Sequence, residues 1–228
     1  SLFGDEETVQ AAVEYADVPA WGNKQRLQEE KAVLGFCLTG HFFDSYADEA
    51  KHYARSRLNA LKSSRDSQWL AGVVAGSRIQ QTQRGRLMVV TLDDGTAKIE
   101  VSLFDEIIEE RRQVIVQDEF LMVFGRVSED RFSGGLRVTA EEVLNLEEAR
   151  CHFGDHIHFS LPEKYPVGSI KELFTPYLGK EGLAVKADYT TSQGQCQIAF
   201  SDAWRIRPTD ECLKAFKGVF PDTEIKYH

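Results

Sequence analysis

The chain's 228 residues suffice for one large domain or two small ones, and a composition of 42% hydrophobic and 28% charged residues with six prolines excludes wholesale disorder, collagen-like repeats and coiled coil. The net charge of −9 is uneven, with 8 basic and 10 acidic side chains in residues 1–65, 9 and 16 in 66–149, and 10 and 10 in 150–228. The acidic middle offers no bulk attraction to nucleic acid, so any strand binding must come from arginines gathered on one face, and must be weak and salt-sensitive. No window approaches the roughly eighteen apolar residues of a membrane span, and the first thirty residues carry acids where a secretory leader needs a basic start, so a soluble, cytoplasmic protein without membrane contact is expected. Cys37, Cys151, Cys196 and Cys212 lie far apart with no CxxC pair, and reduced thiols are expected.

In chain order, Ser1 with no initiator Met reads as the start of a piece of something longer. Acids from Asp5 to Asp17 and the string Val18-Pro19-Ala20-Trp21-Gly22 read as a linker. Leu27 to Leu38 predicts a short amphipathic helix broken near Thr39-Gly40, and Ser45 to about Arg57 a second helix with sparse apolar positions, lying on the surface of something larger. From Trp69 the period becomes two. Trp69 to Ile79 is a strand whose Gly72 and Gly76 mark a bend or bulge; Gln83-Arg84-Gly85 is a turn; Leu87 to Leu92 is a second strand; Asp93-Asp94-Gly95 is a hairpin turn; and Ala97 to Phe104 is a third strand. Asp105 is expected to cap a helix to about Val116, followed by strands at Glu119 to Val127 and, after Ser133-Gly134-Gly135, at Leu136 to about Leu146. Three strands, a helix and two strands is the order of a five-stranded OB-fold barrel.

Beyond Cys151 a separate α+β unit is predicted: a strand at Ile157 to Leu161, a helix from Ser169 to Leu178 ended by Gly179, a hairpin of Leu183 to Tyr189 with Gln195 to Phe200, a helix from Thr209 to Phe220 capped by Thr209, and a strand at Glu224 to Tyr227. The expected organisation is thus multidomain, mixing α+β and all-β: 1–65 linker and helices, 66–149 the barrel, 150–228 the last domain.

OB-folds hold extended strands across strands 2 and 3 and the loops joining strands 1 to 2 and 4 to 5, with cations for phosphates and aromatics for bases. Those loops hold Arg84 and Arg86, and Arg131 with Phe132, flanked by Arg78, Lys98, Arg126 and Arg137. The competing reading makes these arginines ordinary surface residues and packs Phe132 under its own loop. Cys151, His152, Asp155 and His158 carry zinc-ligand chemistry and define a rival, a metal-dependent phosphodiesterase; against it, neighbours such as Asp155 and His156 point apart on a strand, and no metal is assigned. HExxH, GxSxG, a Gly-rich phosphate loop and a DxD pair are all missing, so no catalytic residue or cofactor is assigned. A third reading is an OB-fold module for RNA or a protein partner.

Particular strings carry a resemblance. Leu34-Gly35-Phe36-Cys37-Leu38-Thr39-Gly40-His41 resembles the Leu-Gly-x-x-Leu-Ser/Thr-Gly-His segment preceding the OB-fold in the alpha (polymerase) subunit of bacterial DNA polymerase III. Thr91-Leu92-Asp93-Asp94 with Glu100-Val101-Ser102-Leu103-Phe104 resembles that family's hairpin of strands 2 and 3, Phe132 to Ala140 its loop into strand 5, and Trp204-Arg205-Ile206 with Pro208 and Asp210 a string in the C-terminal domain of the proteobacterial long-chain form. Phe42 stands where family members commonly have Pro, and Gln81-Thr82-Gln83-Arg84 is less basic than the family's usual loop.

The resemblance implies a C-terminal piece of a replicative DNA-directed DNA polymerase, itself non-catalytic because the polymerase aspartates lie far upstream in the palm. It implies an OB-fold contacting single-stranded template weakly and a last domain binding the tau subunit of the clamp loader, with Trp204, Leu213, Phe216 and Phe220 as the expected tau surface or its support. It further implies that Leu2 and Phe3 are the end of a sliding-clamp motif of the Gln-x-Ser/Asp-Leu-Phe kind whose Gln is missing, so that clamp binding is impaired.

Overall fold

A computed structural model describes residues 20–83, 85–130 and 134–227. The chain divides into two compact units, 1–40 and 41–228. Residues 41–65, which the sequence groups with the linker, therefore belong with the barrel.

In the first unit, helix α1 spans Asn23–Leu34 and ends at Gly35, which adopts the left-handed conformation (φ 82°) and returns its N–H to the Lys31 carbonyl. The helix expected to reach Leu38 stops four residues earlier because Glu30 captures the chain: its carboxylate accepts from the Leu38 N–H at 2.7 Å, the Thr39 N–H at 2.9 Å and the Thr39 hydroxyl at 2.6 Å.

In the second unit, the helix expected over 45–57 shrinks to a 3₁₀ turn, Phe42–Ser45, and the short α2, Ala47–Ala50. His41 and Asp44 cap the turn reciprocally, with the Phe43 N–H donating to His41 Nδ1 at 3.1 Å and the His41 N–H to Asp44 at 2.7 Å. Continuous helix loses because the segment serves its aromatic rings. Phe43, Tyr46 and Tyr53 all pack on Phe120, at centroid distances of 6.2, 5.3 and 6.3 Å.

The barrel consists of β1 (Gln68–Thr82), β2 (Gly85–Asp93), β3 (Lys98–Phe104), helix α3 (Asp105–Arg111), β4 (Phe120–Glu129) and β5 (Leu136–Leu144), closed in the order β1-β2-β3-β5-β4. The expected OB-fold is the observed one. β1 serves two neighbours: residues 68–73 pair with β4, residues 73–82 with β2, and the β2 register shifts between Val74 and Gly76, the bulge the glycines signalled. A Cβ on Gly72 would stand 2.6 Å from Leu92 Cγ and 3.0 Å from the Asp93 carbonyl oxygen, so this position requires glycine. β3 and β5 run parallel, in the register Glu100↔Arg137 and Ser102↔Thr139. Leu70, Val90, Val101, Leu103, Leu121 and Val123 fill the interior with essentially no exposure. Asp105 is the first residue of α3 rather than its cap; its carboxylate accepts from the Arg86 backbone N–H instead, and regular helix ends at Arg111 with a 3₁₀ turn to Val114.

β5 ends at Leu144, two residues before its expected limit, because Asn145 caps helix α4 (Leu146–Phe153). The Glu148 N–H donates to Asn145 Oδ1 at 2.9 Å and the Asn145 N–H to Glu148 at 2.8 Å. The remainder is β6 (Gly154–Leu161), α5 (Val167–Phe174), β7 (Leu178–Thr191), β8 (Gly194–Ala199), α6 (Asp210–Val219) and β9 (Glu224–Tyr227), with the sheet order β8-β7-β6-β9. α5 ends before Thr175, and Gly179 lies inside β7 rather than closing a helix. Thr209 caps α6 as expected, accepting from the Cys212 N–H at 3.1 Å.

Arg150 fastens this part to the barrel side. It is 5% exposed, grips Glu49 with Nε at 2.6 Å and Nη2 at 2.9 Å, and donates from Nη1 to the Pro208 carbonyl and Asp210, both at 2.8 Å. Tyr53 and Tyr227 both direct their hydroxyls to the same Glu49 carboxylate. Burial alone would raise the Glu49 pKa, but the Arg150 guanidinium and the Tyr53 and Tyr227 hydroxyls together outweigh it and hold the carboxyl below its ordinary value.

Candidate nucleic-acid interface

Strand alternation divides the barrel's side chains. Val90 and Leu92 of β2 and Val101 and Leu103 of β3 turn inward, so Val89 and Thr91, and Glu100, Ser102 and Phe104, turn outward. The registers then join outward residues across all five strands: Arg78 opposes Val89, Val89 opposes Ser102, Ser102 opposes Thr139 and Thr139 opposes Arg126. The next rung runs from Thr91 through Glu100 and Arg137 to Ser128. Arg126 and Arg137, remote in sequence, thus stand on adjacent rungs of the neighbouring strands β4 and β5, and Arg78 reaches the same surface through Glu100, which opposes Arg137.

Their charges are not equally available. Arg78 donates to Glu100 at 2.8 Å, a pair about half exposed on both sides and so weak and readily exchanged. Arg126 and Arg137 make no ion pair among the described residues. Arg86 sits instead at the barrel's end against α3, with Nε 3.1 Å from Asp105 and Nη2 2.6 Å from Glu109. Lys98 lies at the start of β3, 3.3 Å from Asp93, which also faces His41 at 3.3 Å. Arg84, Arg131 and Phe132 lie outside the described residues, as do Leu2 and Phe3.

Phe104 belongs to this surface and sequence reasoning passed over it. It is 46% exposed at the end of β3, opposite Leu87. The signal was an aromatic two residues beyond Ser102 on the polar face, hidden by its place at the strand's end.

Asp94, at the adjoining hairpin, is structural. Its side chain is buried and accepts from the Thr96 hydroxyl at 2.6 Å, the Leu58 N–H at 3.0 Å, Arg57 Nε at 2.7 Å and the Thr96 N–H at 2.9 Å. Burial would raise its pKa, and these bonds outweigh that to leave it at about 2.

In the last part, Trp204 is half-buried and meets Phe174 edge-on at 5.9 Å, and Leu213 is half-buried on α6. Phe216 and Phe220 are 0% and 1% exposed within the core around Phe159 and Phe174, so they support a surface and cannot themselves form one. The four zinc-type residues go separate ways. Cys151 is half-buried, with its thiol pushed up to about 11 by burial and by Glu147, Glu148 and Glu181. His152 packs on Trp69 at 5.2 Å, Asp155 takes the neighbouring His156 at 2.6 Å and His158 reaches Asp188 at 3.1 Å. Among the described residues no group of three or more His, Cys, Asp or Glu side chains could hold a metal ion. Likewise, no described helix is long and apolar enough to cross a membrane.

Residues 68–146 match the family described as OB-fold nucleic acid binding domain. The chain is 36% identical over 202 residues to the DNA polymerase III subunit alpha of Pseudomonas aeruginosa, covering 86% of this chain and 17% of that protein. It is 29% identical over 235 residues to the subunit of the same name from Escherichia coli K12, covering 99% of this chain and 20% of that one. Among solved structures, a domain of replication protein A from Methanococcus maripaludis is similar with a TM-score of 0.34 and 17% identity, over 40% of this chain and 93% of that domain. The chain spans about a fifth of the length of the curated relatives it matches. It contains an OB-fold and belongs to the family of the bacterial DNA polymerase III alpha subunit.

Proposed function

We propose that this chain is a non-catalytic part of a replicative polymerase in which the outer surface of the barrel around β3, β5 and β4 holds single-stranded template DNA. The observation that carries the reading is the convergence of Arg78, Arg126 and Arg137 on adjacent outward rungs, with exposed Phe104 as a platform for a base. Glu100 and the barrel's acidic balance make the grip weak, suited to a strand that must slide. Fluorescence anisotropy with a labelled oligothymidylate tests it: binding is expected at micromolar strength or weaker, falling steeply with salt, and Arg126→Glu with Arg137→Glu should remove most of it. Unchanged affinity in that double variant would refute the assignment.

The second half of the proposal is that the part beyond Arg150 binds the tau subunit of the clamp loader. Its balanced charge in 150–228 favours a protein partner over nucleic acid. Trp204 and the exposed side of α6 around Leu213 are the contact surface, with Phe216 and Phe220 beneath them. Leu213→Glu should weaken capture by immobilised tau while leaving the circular dichroism spectrum intact; full capture would remove α6 from the interface. Leu2 and Phe3 remain the proposed remnant of a clamp motif, to be tested by restoring Gln-x before them and then changing Phe3→Ala.

A further inference from the structure

A second arrangement of rings and cations lies elsewhere on the barrel. Trp69 and Phe124 are opposed across β1 and β4, and because Leu70 and Val123 turn inward, both rings stand outside, 5.1 Å apart. Phe153, at the end of α4, meets Trp69 edge-on at 5.4 Å. All three are half-buried and line a groove of about 490 Å³ whose other wall is residues 51–55. That wall carries Lys51 and Arg55. Among the described residues Lys51 pairs only with the largely exposed Asp48, at 2.5 Å, and exposed Arg55 makes no ion pair. Two acids of β5 border the far side, Glu142 opposite Phe124 and Glu141, whose carboxylate accepts from the hydroxyl of groove-lining Ser67 at 2.6 Å, so the groove is aromatic on its floor, cationic on the side of residues 51–55 and acidic on the opposite rim.

We propose that this groove is a second contact for single-stranded nucleic acid, with one base against the Trp69 and Phe124 rings and the adjoining phosphate held by Arg55 and Lys51. The volume is that of a small-ligand site, and partly open aromatic faces beside an unpaired guanidinium suit a group that is flat, apolar on its faces and anionic at one end. A continuous strand suits it better than a free nucleotide. Arg126 follows Phe124 by two residues on the outward face of β4, roughly 7 Å further along, and no single nucleotide lying on Trp69 would use it. Beyond Arg126 lies the Arg137 rung, so the groove adds a separate anchor at the end of the outer-face path.

The test is an NMR titration of the ¹⁵N-labelled chain with oligothymidylate, reading the indole signals of its three tryptophans, Trp21, Trp69 and Trp204. The Trp69 signal should move and the Trp204 signal should not. Arg55→Glu should weaken binding about 3- to 10-fold and lower the slope of log affinity against log salt by roughly 0.7, the loss of one single-strand phosphate contact, while Arg55→Lys keeps most of the affinity. Arg137→Glu separates this site from the outer face. If Arg137→Glu weakens binding while Trp69 stays unmoved at saturation and Arg55→Glu has no effect, the groove is overturned and the outer face stands; if only Arg55→Glu acts and Trp69 moves, the groove stands and the outer face fails. An equal Trp69 shift from thymidine monophosphate at the same concentration, or a shift from an acidic phenylalanine-containing peptide but none from the strand, would overturn the proposal in favour of a soluble nucleotide or a protein segment.

Discussion

Replacing Arg150 with methionine should cost far more than a surface arginine does. The side chain is 6% exposed, all of its described contacts are charged or carbonyl oxygens at 2.6 to 2.9 Å, and it joins residue 49 to residues 208 and 210, far away in the sequence. Methionine fills much of the volume but leaves Glu49, among the described residues, with only two tyrosine hydroxyls, Tyr53 and Tyr227. Breaking a buried pair from one side costs about 3–5 kcal/mol, which for a chain of this size lowers Tm by roughly 6–20 °C. The pH dependence carries a sign. In the native chain Glu49 has a depressed pKa, so its contribution is present above its unfolded value and lost as pH falls through the folded one. In Arg150→Met the carboxylate has lost its cation, so the deficit should be larger at pH 7 than at pH 4. Adding Glu49→Leu should recover part of the loss, because no buried charge then lacks a partner. Urea unfolding followed by circular dichroism at both pH values measures the native chain and both variants, and a loss below about 1 kcal/mol at pH 7, or one independent of pH, would refute this account.

Asp94→Ala should remove about 2 kcal/mol near neutrality, because its carboxyl titrates near 2 when folded; native stability should correspondingly fall between about pH 4 and pH 2, a step that acid titration of the variant should lack. Gly182→Ala would put a Cβ 2.4 Å from the Ile206 carbonyl carbon and oxygen, both backbone, and should destabilise by about 1–3 kcal/mol in a thermal melt. In alkylation by iodoacetamide followed by mass spectrometry, exposed Cys196 should react first in the native chain, while Cys212, fully buried with a thiol pushed up to about 12 chiefly by burial, should react only on unfolding.

The barrel was legible because its strands alternate cleanly and its turns carry glycine. Trp69 to Ile79, with Gly72 and Gly76, yields both the strand and its bulge. Residues 42–53 were harder. Their helical spacing is real, but Phe43, Tyr46 and Tyr53 are drawn to Phe120, a contact some seventy residues away that no local pattern announces. α4 was legible and missed, since Asn145-x-x-Glu148 is a capping box. On α6 the spacing of Cys212, Phe216 and Phe220 at four-residue steps already marks an inward stripe, which the expected tau surface overrode. Arg78, Arg126 and Arg137 could be named as candidates from sequence, but their convergence depends on the β3 and β5 register, and the carboxylates that occupy Arg86 come from α3.

The division of β1 between two neighbours bears on the order in which the chain can fold. Residues 73–82 find β2 within a short hairpin, but residues 68–73 must wait for β4, and β4 for β5, so the ring cannot close until Leu144 has been synthesised. Until then Leu70 and Ala71 lie on an unpaired, apolar strand segment, the kind of surface that other chains capture. At roughly 5–20 residues per second, the interval between residues 68 and 144 is several seconds at least, long compared with hairpin formation. The nascent barrel is therefore exposed to aggregation for most of its synthesis, and the bulge between Val74 and Gly76, by fixing the strand's register against β2 early, leaves the remaining half of β1 a single alignment to complete.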